Sequence, residues 1–143
     1  PLGAVLATEE AASGMVLGTH GSTYGGNPLG CAVGCAMLDA LTAEGFLPDM
    51  NRRAALLRQK LEGLVAEHPA IFEEVRGQGF LLGLKVRVAP GDFVKAGYEA
   101  LLITVPAADN VVRLLPPLTL SEEEIAEALA RLEATATALE AAA

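Results

Sequence analysis

The chain has 143 residues, 52% of them hydrophobic, with ten basic against eighteen acidic side chains and a formal net charge of −8. That suits a soluble globular protein with a buried core, and the acidic balance disfavours nucleic acid or an anionic membrane as partner. With 4% aromatics and no tryptophan there is no stacking platform for bases or sugars. No apolar run approaches the ~20 residues that span a bilayer, and the start PLGAVLATEEAASGM lacks the basic region of a targeting peptide, so the expected location is cytoplasmic.

Residues 1–7 read as a short strand, and TEEAASGM as a capped turn or short helix leading into a glycine-rich loop. That loop, THGSTYGGNPLG, runs from Thr19 to Gly30 and ends in an N-cap asparagine, Asn27, followed by Pro28 at the first helical position. Apolar residues at 29, 32, 33, 36, 37, 40 and 41 then predict an amphipathic helix over 28–44, stopped at Gly45. Cys31 and Cys35 are four apart on it, a spacing poorly suited to a disulfide, and read as buried reduced thiols. His20 and His68 are not spaced as zinc ligands, so no metal site is expected.

A second helix is expected from about Pro48 to Glu67, with Met50, Ala54, Leu57, Leu61, Leu64 and Val65 on its buried face and Pro69 enforcing its end. EGFLP, between the two helices, is the place for a change of domain or direction. IFEEVRG and FLLGLKVRV read as strands separated by Gly77 and Gly79. GQGFLLG has the wrong glycine spacing for a dinucleotide fingerprint, and a strand rather than a helix follows it. PGDFVKAGYEA predicts a short helix, LLITVPA and VVRLLPP two further strands. Ser121 with Glu124 three residues on forms a capping box, and Ile125, Ala128, Leu129, Leu132, Ala136 and Leu139 supply the stripe of a closing helix. The expected class is α/β, helices around a small sheet, and residues 1–45 look like the tail of another domain.

Two features bear on chemistry. Ser22 and Thr23 stand just ahead of a helix N-terminus, where backbone N–H groups and the helix dipole attract a phosphate. The same residues also suit a tight turn capped by its own hydroxyls, and spacing does not separate the two readings. Arg113 is the lone cation of VVRLLPPL, between Val112 and Leu114. Its planar fork suits a carboxylate, and a strand arginine facing solvent would look the same. Arg76 is the other strand arginine, equally well explained by a structural salt bridge.

THGSTYGGNPLGCAVG, EEVRGQGFLLGLK and DNVVRLLPPLTLSEEEI, in that order and spacing, resemble the C-terminal part of class III (subgroup II) aminotransferases that use pyridoxal 5'-phosphate, nearest to the acetylornithine group of that family. The resemblance implies a fold type I enzyme acting as a homodimer, transferring an amino group from an amino-acid donor to 2-oxoglutarate in arginine biosynthesis. Ornithine, succinylornithine and 4-aminobutyrate aminotransferases are the alternatives within the family, and a stand-alone binding or dimerisation module is the alternative outside it. It implies that residues 1–46 are the tail of the large cofactor-binding domain, with loop 19–27 and helix 28–44, and that 47–143 form the small α/β domain. Thr23 would contact the cofactor phosphate across the subunit boundary, Ser22 would lie beside it near the substrate, and Arg113 would hold the substrate α-carboxylate. The lysine that carries the cofactor lies in the family just before PLGAV. Lys60, Lys85 and Lys95 do not replace it, so the expectation is a fragment that is inactive alone.

Overall fold

The computed structural model describes residues 2–142 and divides into two compact units, Pro1–Leu47 and Pro48–Ala143. In the first, α1 spans Glu9–Ala12, with Thr8 Oγ1 accepting from Ala11 N at 3.2 Å, and α2 spans Pro28–Thr42. Asn27 caps α2 as its sequence predicts, its Oδ1 accepting from Gly30 N at 2.7 Å. The strand expected at 1–7 does not form over 2–7, because a strand exists through a hydrogen-bonded neighbour and no described residue pairs with this segment. The thiol reading is also corrected: no residue of α2 is buried, and Cys31 and Cys35 are both exposed and unbridged. The apolar stripe that predicted burial is present, and among the described residues Leu2 lies against it at Gly34 without burying it.

The second unit holds α3 (Phe46–Glu67, beginning in the last residues of the first unit), β1 (Phe72–Gln78), β2 (Leu81–Val86), α4 (Pro90–Glu99), β3 (Val105–Ala107), β4 (Val111–Leu114) and α5 (Glu122–Ala141). Helix α3 starts ahead of Pro48 because a proline in the first turn loses no helical hydrogen bond. The four strands form one sheet in the order β1-β2-β4-β3, every neighbouring pair antiparallel. One face packs under the helices. Leu61 of α3, Leu84 of β2, Phe93 of α4, Val112 of β4 and Ala136 of α5 are fully buried there, and Phe72 meets Phe93 edge to face at 5.6 Å.

Three local devices set this sheet. Gly77 has φ +103, and a Cβ there would stand 2.1 Å from Leu81 O, so only glycine lets β1 turn so closely into β2. The capping box forms in full, Glu124 N donating to Ser121 Oγ at 3.2 Å and Ser121 N to Glu124 Oε2 at 2.8 Å. The strand expected over LLITVPA is confined to Val105–Ala107. Its first residues close α4 instead: Leu101 takes φ 57, Leu101 N donates to Tyr98 O, and Leu102 N donates to Gly97 O. Among the described residues, no single helix is long and apolar enough to cross a membrane.

Candidate functional site

Residues 23–26 form a turn held by Asn27, whose Nδ2 donates to Tyr24 O at 2.6 Å while its backbone N donates to the same oxygen at 3.3 Å. Gly26 takes φ +70. A Cβ on Gly25 would stand 2.5 Å from Ser22 Oγ, so this glycine leaves room for the hydroxyl. Ser22 and Thr23 are exposed, and neither hydroxyl is engaged in a hydrogen bond among the described residues. The turn therefore holds its own shape without them. No lysine or arginine occurs in the first 47 residues. What the loop offers an anion is two unengaged hydroxyls beside the N-terminus of α2, a donor set that fits the phosphate of pyridoxal phosphate and provides no amine to carry the cofactor covalently.

Arg113 lies in β4, opposite Gly83 on one side and Val105 on the other. Its neighbour Val112 is buried under the helices, so by strand alternation Arg113 lies on the opposite face, where it is exposed. The other six arginines all have partners. Arg52 pairs with Glu122 at 2.6 Å, Arg53 with Asp49 at 3.0 Å, Arg58 with Glu62 at 2.9 Å and Arg131 with Glu127 at 2.7 Å. Arg87 donates to Pro69 O at 3.0 Å. Arg76 donates to Glu74 Oε1 at 2.6 Å and to Asp109 Oδ2. Arg113 alone has no hydrogen bond or ion pair among the described residues.

Arg76 is thus a strut between β1 and the turn joining β3 to β4. Its hydrogen bond, with the charge of Lys85 behind it, holds the Asp109 carboxyl below the usual carboxylate range. The lysines are no closer to cofactor chemistry. Lys85 Nζ lies 3.4 Å from Glu73, Lys95 Nζ lies 3.6 Å from Asp92, and Lys60 is exposed on α3. Glu67, His68 and Glu133 bring ligand-type atoms within 4.8 Å of one another, a grouping that histidine spacing along the chain does not reveal. His68 Nδ1 is there 3.1 Å from Glu140 Oε2. Ser22 and Thr23 belong to the first unit and Arg113 to the second.

The family model for aminotransferase class-III matches residues 1–136. The chain belongs to the class-III aminotransferases. Among curated members it is similar to acetylornithine aminotransferase of Rhodobacter capsulatus, 67% identical over 140 residues that cover 98% of this chain and 36% of that protein. It is also similar to acetylornithine aminotransferase of Agrobacterium fabrum, 53% identical over 139 residues, 97% of this chain and 35% of that protein. The chain thus spans about a third of the length of these relatives. Among solved structures, ornithine delta-aminotransferase of Plasmodium falciparum superposes with a TM-score of 0.84 at 30% identity, over 96% of this chain and 36% of that one. The fold is therefore that of this class-III family, fold type I, with the small antiparallel sheet and its helices in place.

Proposed function

We propose that this chain is the C-terminal part of an acetylornithine-type aminotransferase. In this reading residues 1–46 are the tail of the large cofactor-binding domain, and 47–143 form the small domain that presents the substrate arginine. The observation that carries it is the isolation of Arg113, the one arginine without a partner among the described residues, on the sheet face turned away from the core. A guanidinium left unpaired in a chain of net charge −8 is in effect reserved for an anion from outside the fold. The high identity to acetylornithine aminotransferases supports the choice of donor.

Pyridoxal phosphate, when bound, stabilises negative charge at the substrate carbon that loses its proton. The chain's own contribution is binding and orientation. Ser22 and Thr23 donate hydroxyl hydrogen bonds to the cofactor phosphate, with the N-terminus of α2 adding its dipole. No charged side chain is needed, because hydroxyl and backbone donors answer a charged acceptor directly. Arg113 holds the α-carboxylate through two parallel N–H donors, and so sets the orientation of the bond to be broken. The cofactor-bearing lysine is supplied from outside these residues, which makes this chain inactive alone. The complete protein is a cytoplasmic homodimer in which Thr23 serves the neighbouring subunit's cofactor, and 2-oxoglutarate is the acceptor in arginine biosynthesis. The structural likeness to an ornithine aminotransferase makes ornithine the competing donor.

The test is Arg113→Lys in the complete enzyme. The charge stays and the two-donor fork goes, so kcat/KM falls by at least about tenfold for both amino donor and 2-oxo acceptor, with cofactor affinity and Tm unchanged. Near-normal kinetics with both substrates would remove Arg113 from the site. A loss confined to one substrate would mean that it reads a distal group rather than the shared α-carboxylate.

A further inference from the structure

Three carboxylates converge on one imidazole where α3 ends against α5. Glu67 is the last residue of α3 and His68 the residue after it, while Glu133 and Glu140 are seven apart on α5. Seven residues are close to two helical turns, so both glutamates lie on one side of α5. Glu67, His68 and Glu133 each bring one ligand-type atom within 4.8 Å of the others, and Glu140 Oε2 lies 3.1 Å from His68 Nδ1. Among the described residues, neither Glu67 nor Glu133 has a salt bridge. Lys60 lines the same groove as these two glutamates without pairing with either, and one ammonium beside three carboxylates leaves the place anionic.

The histidine is held in place. Its side chain is 12% exposed, its ring stands edge to face with Phe72 at a centroid distance of 6.5 Å, and Glu140 takes one ring nitrogen. A carboxylate on one nitrogen of an imidazole fixes the tautomer and leaves the other nitrogen as an acceptor, the arrangement in which histidines bind metal ions. With Nδ1–H donating to Glu140, the nitrogen left for an ion is Nε2. A plain ion pair would need Glu140 alone and would not draw Glu67 and Glu133 together with the same side chain.

We infer that this junction is a structural metal site for Zn²⁺, with His68, Glu67 and Glu133 as ligands and Glu140 as the carboxylate that orients the ring. One imidazole and two carboxylates suit a borderline ion with water at its fourth position, whereas Mg²⁺ and Ca²⁺ take sets of oxygen ligands. Held by the end of α3 and by the middle of α5, the ion staples two helices that meet only in the folded unit, so its binding energy adds to folding. None of these residues belongs to the cofactor or substrate groups proposed above.

The experiment uses the 143-residue chain without a polyhistidine tag and with Cys31→Ser and Cys35→Ser, because two exposed thiols four apart on a helix bind Zn²⁺ themselves. Calorimetric titration with zinc chloride gives one ion per chain, and magnesium chloride gives no measurable binding. Saturating Zn²⁺ raises Tm, since the ion binds the folded unit and not the unfolded chain. His68→Gln and Glu133→Gln each weaken Zn²⁺ by at least about tenfold and remove the rise in Tm, and Glu140→Ala weakens it by about ten- to hundredfold while leaving the three ligands in place. Glu133 is exposed, so its replacement tests the site even where His68→Gln, which loses the contact with Phe72, disturbs the fold. No binding, an unchanged Tm, or Zn²⁺ held as tightly after Glu133→Gln would each overturn the site. The kinetic test of Arg113→Lys involves none of these groups, so either reading can fail without the other.

Discussion

Arg113 and Thr23 differ from chemically identical neighbours only in what surrounds them. Arg76 sits one strand away from Gly83 just as Arg113 does, yet its guanidinium is consumed by Glu74 and Asp109. Thr19 belongs to the same loop as Thr23, yet its hydroxyl donates to Val16 O at 2.8 Å. A side chain that already has a partner gains little from a ligand, since binding must first break what exists. Thr23 has no such bond, and in the complete enzyme Thr23→Val lowers cofactor affinity by about 1.5–3 kcal/mol, the value of a hydrogen bond to a charged acceptor. Titration of the apoenzyme with pyridoxal phosphate measures this, and unchanged affinity would mean that the phosphate is held elsewhere. The threonine and the arginine stand out by type in the sequence. Their being unengaged does not, because it depends on which of seven arginines and which loop hydroxyls meet partners from distant positions.

At the scale of elements, the turn between β3 and β4 carries both geometry and charge. Asp109 and Asn110 take φ 59 and 53, conformations that asparagine and aspartate tolerate and most residues do not. Asp109→Asn therefore keeps the turn while removing the ion pairs with Arg76 and Lys85. Because Asp109 is held below its ordinary pKa when folded, the stability it contributes is complete above the unfolded aspartate pKa of about 3.9. It is lost as pH falls through the lower folded value. The variant is accordingly less stable than the parent chain near neutrality, and the difference shrinks as pH falls below about 4. Urea melts across that range read it directly, and a gap independent of pH would assign the effect to backbone geometry instead. Elements with chemical punctuation were legible here: the asparagine cap of α2 and the capping box of α5 are local motifs needing no tertiary partner. The LLITVPA strand was not, since the residues that looked extended were recruited to close α4.

For the whole molecule, the core lies in one unit. Among the described residues, every buried core residue falls between Ala54 and Ala136, while α1 and α2 have none. Cooperative unfolding should thus belong to the second unit. A chain beginning at Ala43 is expected to keep a single transition with Tm within about 4 °C of the intact chain's, and loss of that transition would show that the first unit is structurally required. Function divides differently. With no lysine in the first 47 residues and Lys85 and Lys95 engaged by carboxylates, the isolated chain mixed with pyridoxal phosphate retains no cofactor absorbance after dialysis. A retained band that disappears when Lys60, Lys85 or Lys95 is replaced would refute this.

The amino-acid sequence by itself determined the helices that carry their own caps, where those of 28–42 and 122–141 begin, the strands around Gly77 and Gly79, and the aminotransferase family, because caps, periodicity and ordered motifs are properties of neighbours along the chain. The stripes of α3 and α5 were likewise readable, since the same unit contains the sheet they cover. What only the tertiary structure decided were matters of pairing between distant residues. Residues 2–7 found no strand partner, Cys31 and Cys35 found no cover, Arg76 found Asp109, and Arg113 found nothing among the described residues. Side-chain type states what a residue can bond. Which bonds are already made is fixed by the positions of all the others, and that information is not local.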